Sequence, residues 1–202
     1  MIDRYMVYDE KINGGSLEGK FPQYVICSEL SGIDVSNAKM SGNFIVVSES
    51  EISDIGFRHD RMDSAIFTSS AFKDVEFRDM VFTDATFSDC EFYDCKFIDC
   101  EMPCEVINSS FERCEFTGGH YMGNVIQNKF QDCVIKDDQL LQAACSNRFE
   151  KCIFEDAPLP SGDYSQNLRR NDFVSCQANG DLWRDNTLDI DCLYDVIDDY
   201  AR

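Results

Sequence analysis

The chain has 202 residues, enough for one sizeable hydrophobic core, and its composition excludes several classes of protein. It carries 38 acidic residues against 18 Lys and Arg, for a formal net charge of −20. A nucleic-acid binder needs clustered basic residues, and so does a protein that binds an acidic membrane surface, so neither is expected. Hydrophobic residues make up 44% of the chain, enough to fold, and no apolar run reaches the ~18 residues of a membrane span.

The N-terminus and the cysteine content together predict a cytoplasmic protein with reduced thiols. Residues 1–6 lack the charged-then-apolar layout of an export signal. The chain contains 11 cysteines, but a disulfide-rich secreted domain is typically shorter and carries such a signal. We therefore expect free thiols rather than a disulfide framework.

The first part of the chain carries a weak repeat with a period of five residues. Residues 1 to about 24 show no clear pattern, and we expect them to form either an N-terminal cap or the first unit of the repeat. From residue 30 onward apolar residues recur every five positions, with one two-residue slip. The series is Leu30, Val35, Met40 and Ile45, then Val47, Ile52, Phe57 and Met62.

The period of five becomes strict from residue 65, and it fits neither a helix nor an ordinary strand, which repeat at 3.6 and 2 residues. Two residues before each Phe of this stretch stands a small or apolar residue, so positions i−2 and i both point inward, as in a short strand. The other two residues of each pentad must turn the chain. The seven central residues are Phe67, Phe72, Phe77, Phe82, Phe87, Phe92 and Phe97.

A second period of 19 residues, about four pentads, lies on top of the first. The sequence Cys90-Glu91-Phe92-Tyr93-Asp94-Cys95 has counterparts at 109–114, 128–133 and 147–152, and a further copy at 171–176 after 24 residues. Such a repeat is typical of a solenoid, in which successive coils stack and bury a continuous core. Four pentads per coil give four inward columns: Phe72, Phe92, Phe111, Phe130, Phe149; Phe77, Phe97, Phe116, Ile135, Phe154; Phe82, Met102, Tyr121, Leu140, Leu159; and Phe87, Ile107, Ile126, Cys145.

Cysteine and asparagine follow the same frame at position i−2. A line of thiols spaced by the coil pitch favours packing over metal binding, because a metal site needs thiolates that converge on one point. Stacked Asn side chains favour an amide ladder, in which each side chain bonds to the coils above and below. The columns are Cys95, Cys114, Cys133, Cys152, Cys176 and Asn128, Asn147, Asn171.

The end of the chain changes character. Two prolines and a glycine within 157–164 predict a loop over about 157–170 that leaves the wall of the solenoid. Residues Leu193, Val196, Ile197 and Tyr200 have helical spacing and predict a short amphipathic helix over about 190–201. We expect this helix to cap the last coil, which would otherwise expose unpaired strand edges. Leu193, Ile197 and Tyr200 either pack on that coil or pair two copies into a homodimer.

The tandem small–polar–Phe–polar–polar pattern, clearest in Ala85-Thr86-Phe87-Ser88-Asp89 and Cys90-Glu91-Phe92-Tyr93-Asp94, resembles the pentapeptide-repeat family over roughly residues 25–190. The resemblance implies an all-β fold, a right-handed quadrilateral β-helix with four pentads per coil. One solenoid domain would then span the chain, with coils over about 25–189 and a cap over about 190–202. Known members, of the Qnr and MfpA type, are acidic DNA-like rods that bind DNA gyrase and topoisomerase IV.

The acidic residues support DNA mimicry independently. At ~4.8 Å per coil the rod is roughly 40 Å long, so 20 net charges give about one per 2 Å, close to the ~1.7 Å of duplex DNA. Six aspartates occupy position i+2, the corner after each inward Phe, and form a candidate partner-binding belt. Turn chemistry explains them equally well. The belt is Asp74, Asp79, Asp84, Asp89, Asp94 and Asp99, and a second acidic zone, a partner site or a solubilising cap, is Asp181, Asp185, Asp189, Asp191, Asp195, Asp198 and Asp199.

The leading functional hypothesis is therefore a non-catalytic DNA mimic that inhibits or protects a DNA-binding enzyme, with a topoisomerase as the first candidate. The alternative is an interaction scaffold, or an inhibitor of a host-defence enzyme or nuclease, recognised by shape through the 157–170 loop or the C-terminal helix. No enzyme activity, metal or cofactor is expected, because His59 and His120 lack a nucleophile or metal-ligand partner at motif spacing.

Overall fold

The fold is a parallel β-solenoid, as the period of five predicts. The computed structural model describes residues 5–40, 44–102, 104–121, 123–140, 144–157 and 171–178, and only the backbone of Glu18 and Tyr121. Regular structure in these ranges consists of short strands, and every strand pairs in parallel with the strand one coil away. Among the same residues, no helix is long and apolar enough to cross a membrane.

Each coil passes through four walls in a fixed order, here numbered walls 1 to 4. Wall 1 is an eight-stranded sheet and wall 2 a nine-stranded sheet. Wall 3 contains a seven-stranded sheet, preceded in the first coils by one pair of longer strands that contacts it. Wall 4 is a single strand pair, continued by the isolated bridges of Val81 to Arg61 and to Glu101.

The strands of walls 1 and 2 are almost all three residues long. Wall 1 consists of β1 (Met6–Tyr8), β4 (Tyr24–Ile26), β7 (Val46–Ser48), β10 (Ile66–Thr68), β13 (Thr86–Ser88), β17 (Glu105–Ile107), β21 (Asn124–Ile126) and β24 (Ala144–Cys145). Wall 2 consists of β2 (Lys11–Asn13), β5 (Glu29–Ser31), β8 (Glu51–Ser53), β11 (Ala71–Lys73), β14 (Glu91–Tyr93), β18 (Ser110–Glu112), β22 (Lys129–Gln131), β25 (Arg148–Glu150) and β27 (Asp172–Val174).

Walls 3 and 4 complete each coil. Wall 3 consists of β3 (Ser16–Lys20), β6 (Asp34–Lys39), β9 (Gly56–Arg58), β12 (Glu76–Arg78), β15 (Lys96–Ile98), β19 (Glu115–Thr117), β23 (Val134–Lys136), β26 (Ile153–Glu155) and β28 (Gln177–Ala178). Wall 4 contains β16 (Glu101–Met102) and β20 (His120–Tyr121).

Stacked phenylalanines fill the core. Phe92 at the centre of β14 is only 1% exposed, and its ring stacks on Phe72 and Phe111 of the adjacent coils at centroid distances of 4.8 and 4.6 Å. Within its own coil it makes edge-to-face contacts with Phe87 and Phe97 at 5.8 and 5.6 Å. Offset stacks and edge-to-face pairs are the favoured aromatic geometries, so one residue type satisfies both directions of packing.

The predicted fourth inward column was wrong after its first member. Phe87 aligns with Val106, and Val106 aligns with Val125, so Ile107 and Ile126 sit one position further on with partly exposed side chains. Alternate residues of a strand face opposite sides, so a one-residue shift reverses the face. With Ile107 inward, Glu105 would stand at the inward i−2 position as an unpaired buried charge, which is costly.

The same correction applies to the last member of that column, because Val125 pairs with Ala144 and leaves Cys145 outside.

The strand register also shows where a 19-residue coil is one residue shorter than four full pentads. The interval from Met102 on wall 4 to Val106 on wall 1 is four residues instead of five. The missing residue therefore falls at the corner between these two walls.

The predicted thiol and amide columns are both present. Each Sγ of the cysteine column lies 3.4–3.5 Å from a backbone carbonyl of the preceding coil, as Cys95 does from Phe72 and Cys114 from Phe92. In the asparagine column, the Asn128 side chain donates to the Val106 carbonyl at 2.8 Å, and Asn147 Oδ1 accepts from the Asn128 backbone N–H at 2.8 Å. These bonds satisfy buried polar groups along the stack.

Several predicted features lie outside the described residues. They are the C-terminal helix over about 190–201 with Leu193, Ile197 and Tyr200, the acidic zone over 181–199, and all but the first residue of the loop over 157–170. The right-handed sense of the coil and its quadrilateral cross-section stay predictions.

The phenylalanine stack predicts a large stability effect at its centre. Phe92→Ala should destabilise the chain by about 3–5 kcal/mol, because it leaves a cavity between two stacked rings. Urea unfolding followed by circular dichroism measures the effect. The control is Phe44→Ala, since that side chain is 44% exposed and should lose less than about 0.5 kcal/mol. Similar losses at the two sites would contradict this view of the core.

Candidate partner-binding surface

The six predicted belt aspartates all occupy corners with a left-handed backbone. Their φ angles lie between 51° and 56°, a conformation that Asp and Asn tolerate better than most residues. The corner N–H also continues the ladder between coils, since Asp74 N donates to the Tyr93 carbonyl at 3.0 Å and Asp79 N to the Ile98 carbonyl at 2.9 Å. The left-handed backbone therefore supports the turn interpretation at every belt position.

The belt surrounds the rod, so no single flat partner surface can face all six members. Asp74 and Asp94 follow wall 2, while Asp79 and Asp99 follow wall 3. Asp84 follows the wall 4 segment, and Asp89 follows wall 1. The side chains are exposed except for that of Asp94, which is half-buried.

Other corner residues extend part of the belt into two lines along the rod, which we call the acidic rows. One row lies at the corner between walls 2 and 3, and the other at the corner between walls 3 and 4, so the rows flank wall 3. Members of one row are spaced by the coil pitch of roughly 4.8 Å wherever successive coils both contribute. The first row is Asp54, Asp74, Asp94 and Asp132, and the second is Asp79, Asp99, Asp137 and Asp156.

Four of these eight residues, Asp54, Asp132, Asp137 and Asp156, were missed by the sequence prediction of a site. A signal for them exists, because each stands two residues after a central apolar residue, as in Lys129-Phe130-Gln131-Asp132. They were missed because the belt was read along the chain through consecutive pentads. The structure shows that pentads of different coils, about 20 residues apart, are the neighbours on one face.

The surface of wall 3 between the acidic rows is close to neutral. Arg58 Nη2 and Arg78 Nε lie 2.9 and 3.1 Å from Glu76 Oε1, and the bond from Arg78 lowers the pKa of that carboxyl. Lys96 and Glu115 pair at 3.6 Å. Basic and acidic side chains therefore alternate at the centre of the wall, and the unbalanced negative charge is concentrated at its two edges.

Local partners make the row members unequal. Arg113 Nε and Nη2 donate to the two oxygens of Asp94 at 2.8 and 2.9 Å, which lowers the pKa of Asp94 and neutralises its charge. His59 Nδ1 lies 3.1 Å from Asp79. Outside the rows, Ser88 and Asn108 donate to Asp89 and lower its pKa. Asp94 is thus the row member least suited to pair with a partner's base.

Nothing in the described residues resembles a metal centre. No group of three His, Cys, Asp or Glu side chains there could hold an ion. The ten cysteines within these ranges are free thiols, and burial raises the pKa of Cys90 to about 11 and that of Cys100 to about 12. A protonated thiol is a poor ligand and nucleophile. His120 Nδ1 lies 2.9 Å from Gln139 Oε1.

One buried carboxyl belongs to the frame rather than to the surface. Asp138, at position i−2 before wall 4, is fully buried, and its two oxygens accept backbone N–H bonds from Gly119 at 2.8 Å and Leu140 at 2.9 Å. Burial nevertheless raises its pKa to about 7. It therefore gains or loses a proton near neutral pH without contact with a partner.

Comparison with known proteins identifies the fold. No family model and no curated protein sequence matches the chain. Among solved structures, the chain is similar to HetL, a pentapeptide repeat protein involved in heterocyst differentiation regulation from the cyanobacterium Nostoc, with a TM-score of 0.53 and 11% identity over 86% of this chain and 83% of HetL. The chain therefore has the fold of a pentapeptide-repeat protein, as the pentads predict.

A second similar structure is QnrB1, a plasmid-mediated fluoroquinolone resistance protein. The match covers 87% of this chain and 94% of full-length QnrB1, with 13% identity and a TM-score of 0.33.

The buried carboxyl generates a pH prediction. Because the pKa of Asp138 in the folded chain is about 7, above roughly 4 in the unfolded chain, its contribution to stability is complete below pH 4 and is lost as the pH rises through 7. Asp138→Asn removes this titration, so the unfolding free energy of the wild type relative to the variant should fall between pH 4 and 8, by up to about 4 kcal/mol.

Urea unfolding at a series of pH values measures this change in stability. The control is Asp132→Asn, because Asp132 is an exposed residue at the corner between walls 2 and 3. The control should keep the pH profile of the wild type. If the unfolding free energy of Asp138→Asn depends on pH in the same way as that of the wild type, the buried carboxyl does not titrate in this range.

Proposed function

We propose that the chain is a non-catalytic DNA mimic that binds the DNA-binding surface of an enzyme through wall 3. The observation that carries this proposal is the pair of acidic rows along the two edges of that wall. Two features of the form belong to the proposal. The family resemblance implies a right-handed quadrilateral coil, and the spacing of Leu193, Ile197 and Tyr200 predicts a helical C-terminal cap.

The rows support mimicry because they imitate two phosphate strands on either side of a nearly neutral surface. Where both corners of a coil are acidic, as in the pairs Asp74 and Asp79 or Asp132 and Asp137, a coil supplies two carboxylates per roughly 4.8 Å. That is about one charge per 2.4 Å, against ~1.7 Å for duplex DNA. Arg113 and Lys151 interrupt the first row, so the match is local and favours partners with short basic patches.

The mechanism follows from electrostatics and rigidity. The field of the exposed corner carboxylates attracts a basic surface and speeds association. The backbone ladder fixes the corners, so little entropy is lost when the partner's Lys and Arg replace solvent. A bound mimic displaces DNA from its partner, which inhibits the enzyme or protects its DNA complex from a toxin or drug.

The family resemblance makes DNA gyrase and topoisomerase IV the first candidate partners, with nucleases and other host-defence enzymes as further candidates. Recognition by shape, through the 157–170 loop or the C-terminal segment, is the alternative. The two mechanisms differ in salt dependence, because screening weakens contacts between charges at the surface and leaves apolar contacts intact.

Two charge-matched variants test the proposal. The row variant carries Asp74→Asn, Asp79→Asn, Asp99→Asn and Asp132→Asn. The control carries Asp9→Asn, Glu49→Gln, Asp84→Asn and Asp89→Asn, four corner positions outside wall 3 that also have positive φ. Each variant loses four negative charges. Displacement of a labelled DNA duplex from purified bacterial gyrase and topoisomerase IV at fixed salt gives the affinity.

We expect the row variant to bind at least tenfold more weakly and the control to stay within threefold of the wild type. Equal losses in both would show that net charge, and not wall 3, governs binding. Binding that neither variant weakens would exclude mimicry at the corners and favour recognition by shape.

A further inference from the structure

The hydrogen-bonded ladder of wall 3 is broken between the second and third coils. Strands β3 and β6 form a sheet of their own, and β6 does not pair with β9 of the next coil. From β9 to β28 the wall is one continuous parallel sheet, and walls 1 and 2 are unbroken over the coils that flank the break. The break is therefore local to this wall.

Two additional residues in the second coil cause the break. The aligned residues Leu30 and Ile52 are 22 positions apart, two more than four pentads. The Asp60 carboxylate accepts the Met40 N–H at 2.7 Å across an interval of 20 residues, so the spacing is regular again at that point. The extra residues therefore lie in β6, which is six residues long and shifts its register against β3. A bulge of this kind bends a strand and disrupts its ladder.

The break opens a cleft of about 800 Å³ on the outer face of wall 3. The cleft reaches the core at Val35 and Met40, which are 5% and 2% exposed, and half-buried Ala38 lies beside them. Exposed Arg58 and His59 lie at its rim. An apolar floor with a few polar groups, at this volume, is typical of a site for a small molecule.

Gly56 contributes an unmet hydrogen-bond donor to the cleft. In every later described coil the equivalent backbone N–H donates to a carbonyl of the preceding coil at 2.9–3.1 Å, as Glu76 does to Ile55. Within the described residues, the corresponding bond from Gly56 to Ile33 is absent. Unpaired N–H groups are rarer in proteins than carbonyls with spare capacity, so this donor favours an acceptor supplied by a ligand.

Arg58 contributes a second donor beside the first. Because Gly56 has no side chain, the guanidinium lies against it, and a Cβ at Gly56 would be 3.6 Å from Arg58 Nε. Arg58 Nη2 pairs with Glu76 at 2.9 Å, but Nε makes no hydrogen bond to the part of the chain that the structure describes. Two donors on β9 thus lie close together with unused capacity.

The two carboxylates of the cleft, in contrast, already accept backbone hydrogen bonds. Asp34 Oδ1 accepts the Ser36 N–H at 2.9 Å. Asp60 accepts the N–H groups of Met40 at 2.7 Å and of Arg61 at 2.8 Å. The unused hydrogen-bonding capacity of these side chains is therefore on the donor side, which selects a ligand that accepts hydrogen bonds and carries negative charge.

The geometry points to a binding site for a small organic carboxylate in this cleft. Its oxygens accept from the Gly56 N–H and the Arg58 guanidinium, whose planar fork matches a carboxylate, and its apolar body lies over Val35 and Met40. A monoanion is favoured over a phosphate dianion, because a chain with a net charge of −20 repels each further negative charge. The site does not depend on the proposed function.

Titration of the full chain with sodium acetate, butyrate and hexanoate tests the site, with ionic strength held constant by sodium chloride. Proton–nitrogen NMR follows the Gly56 amide, because its N–H is one of the two donors. The test variant is Arg58→Gln. The matched control is Arg78→Gln, because Arg78 is aligned with Arg58 one coil further on and also pairs with Glu76. Thermal unfolding checks that both variants fold.

We expect a saturable shift of the Gly56 amide signal. The dissociation constant should fall by about twofold for each added methylene, the effect of burying that group halfway. Arg58→Gln should weaken butyrate binding at least tenfold, because it removes the charged donor, while Arg78→Gln should stay within threefold of the wild type.

Three outcomes would overturn the inference. A Gly56 signal that does not move to saturation would show that solvent, and not a carboxylate, satisfies the break. Equal weakening in Arg58→Gln and Arg78→Gln would show a general effect of charge on wall 3. Sodium phosphate that binds more tightly than butyrate at the same ionic strength would replace the carboxylate with an inorganic oxyanion.

Discussion

The structure depends on the alignment of every residue with the residue one coil away. Parallel pairing at a fixed pitch stacks the Phe72, Phe92 and Phe111 rings directly on one another and stacks the corner residues in the same way. A residue type that suits one coil therefore suits the next, and it recurs as a column. The thiol column, the amide column and the acidic rows all follow from this one geometric constraint, and so does the division of the surface into walls of different chemistry.

The sequence was sufficient to predict the coil and most of its core, because a period of five fits neither a helix nor an ordinary strand and Phe marks most of the central inward positions from residue 65 onward. It was insufficient at the corner before wall 1. There Val106 and Ile107 are both apolar, and only the cost of turning Glu105 inward separates the two registers. Hydrophobicity alone carries no signal for that difference.

The sequence was sufficient to predict that corner aspartates form the candidate site, but not which of them lie on one face of the rod. The corner aspartates were recognisable from position i+2, but a belt read along the chain joins residues on four different corners. The acidic rows appear only when residues about 20 apart are placed side by side, as Asp79 and Asp99 are.

Capture of partners from a bacterial lysate on the immobilised chain, eluted with a rising salt gradient and identified by mass spectrometry, tests mimicry most directly. We expect topoisomerase subunits or other DNA-binding enzymes to elute at moderate salt, because mimicry implies a contact between surface charges. A partner that resists high salt, or no DNA-binding protein in the eluate at all, would contradict mimicry and leave the acidic rows as corner chemistry that keeps the rod soluble.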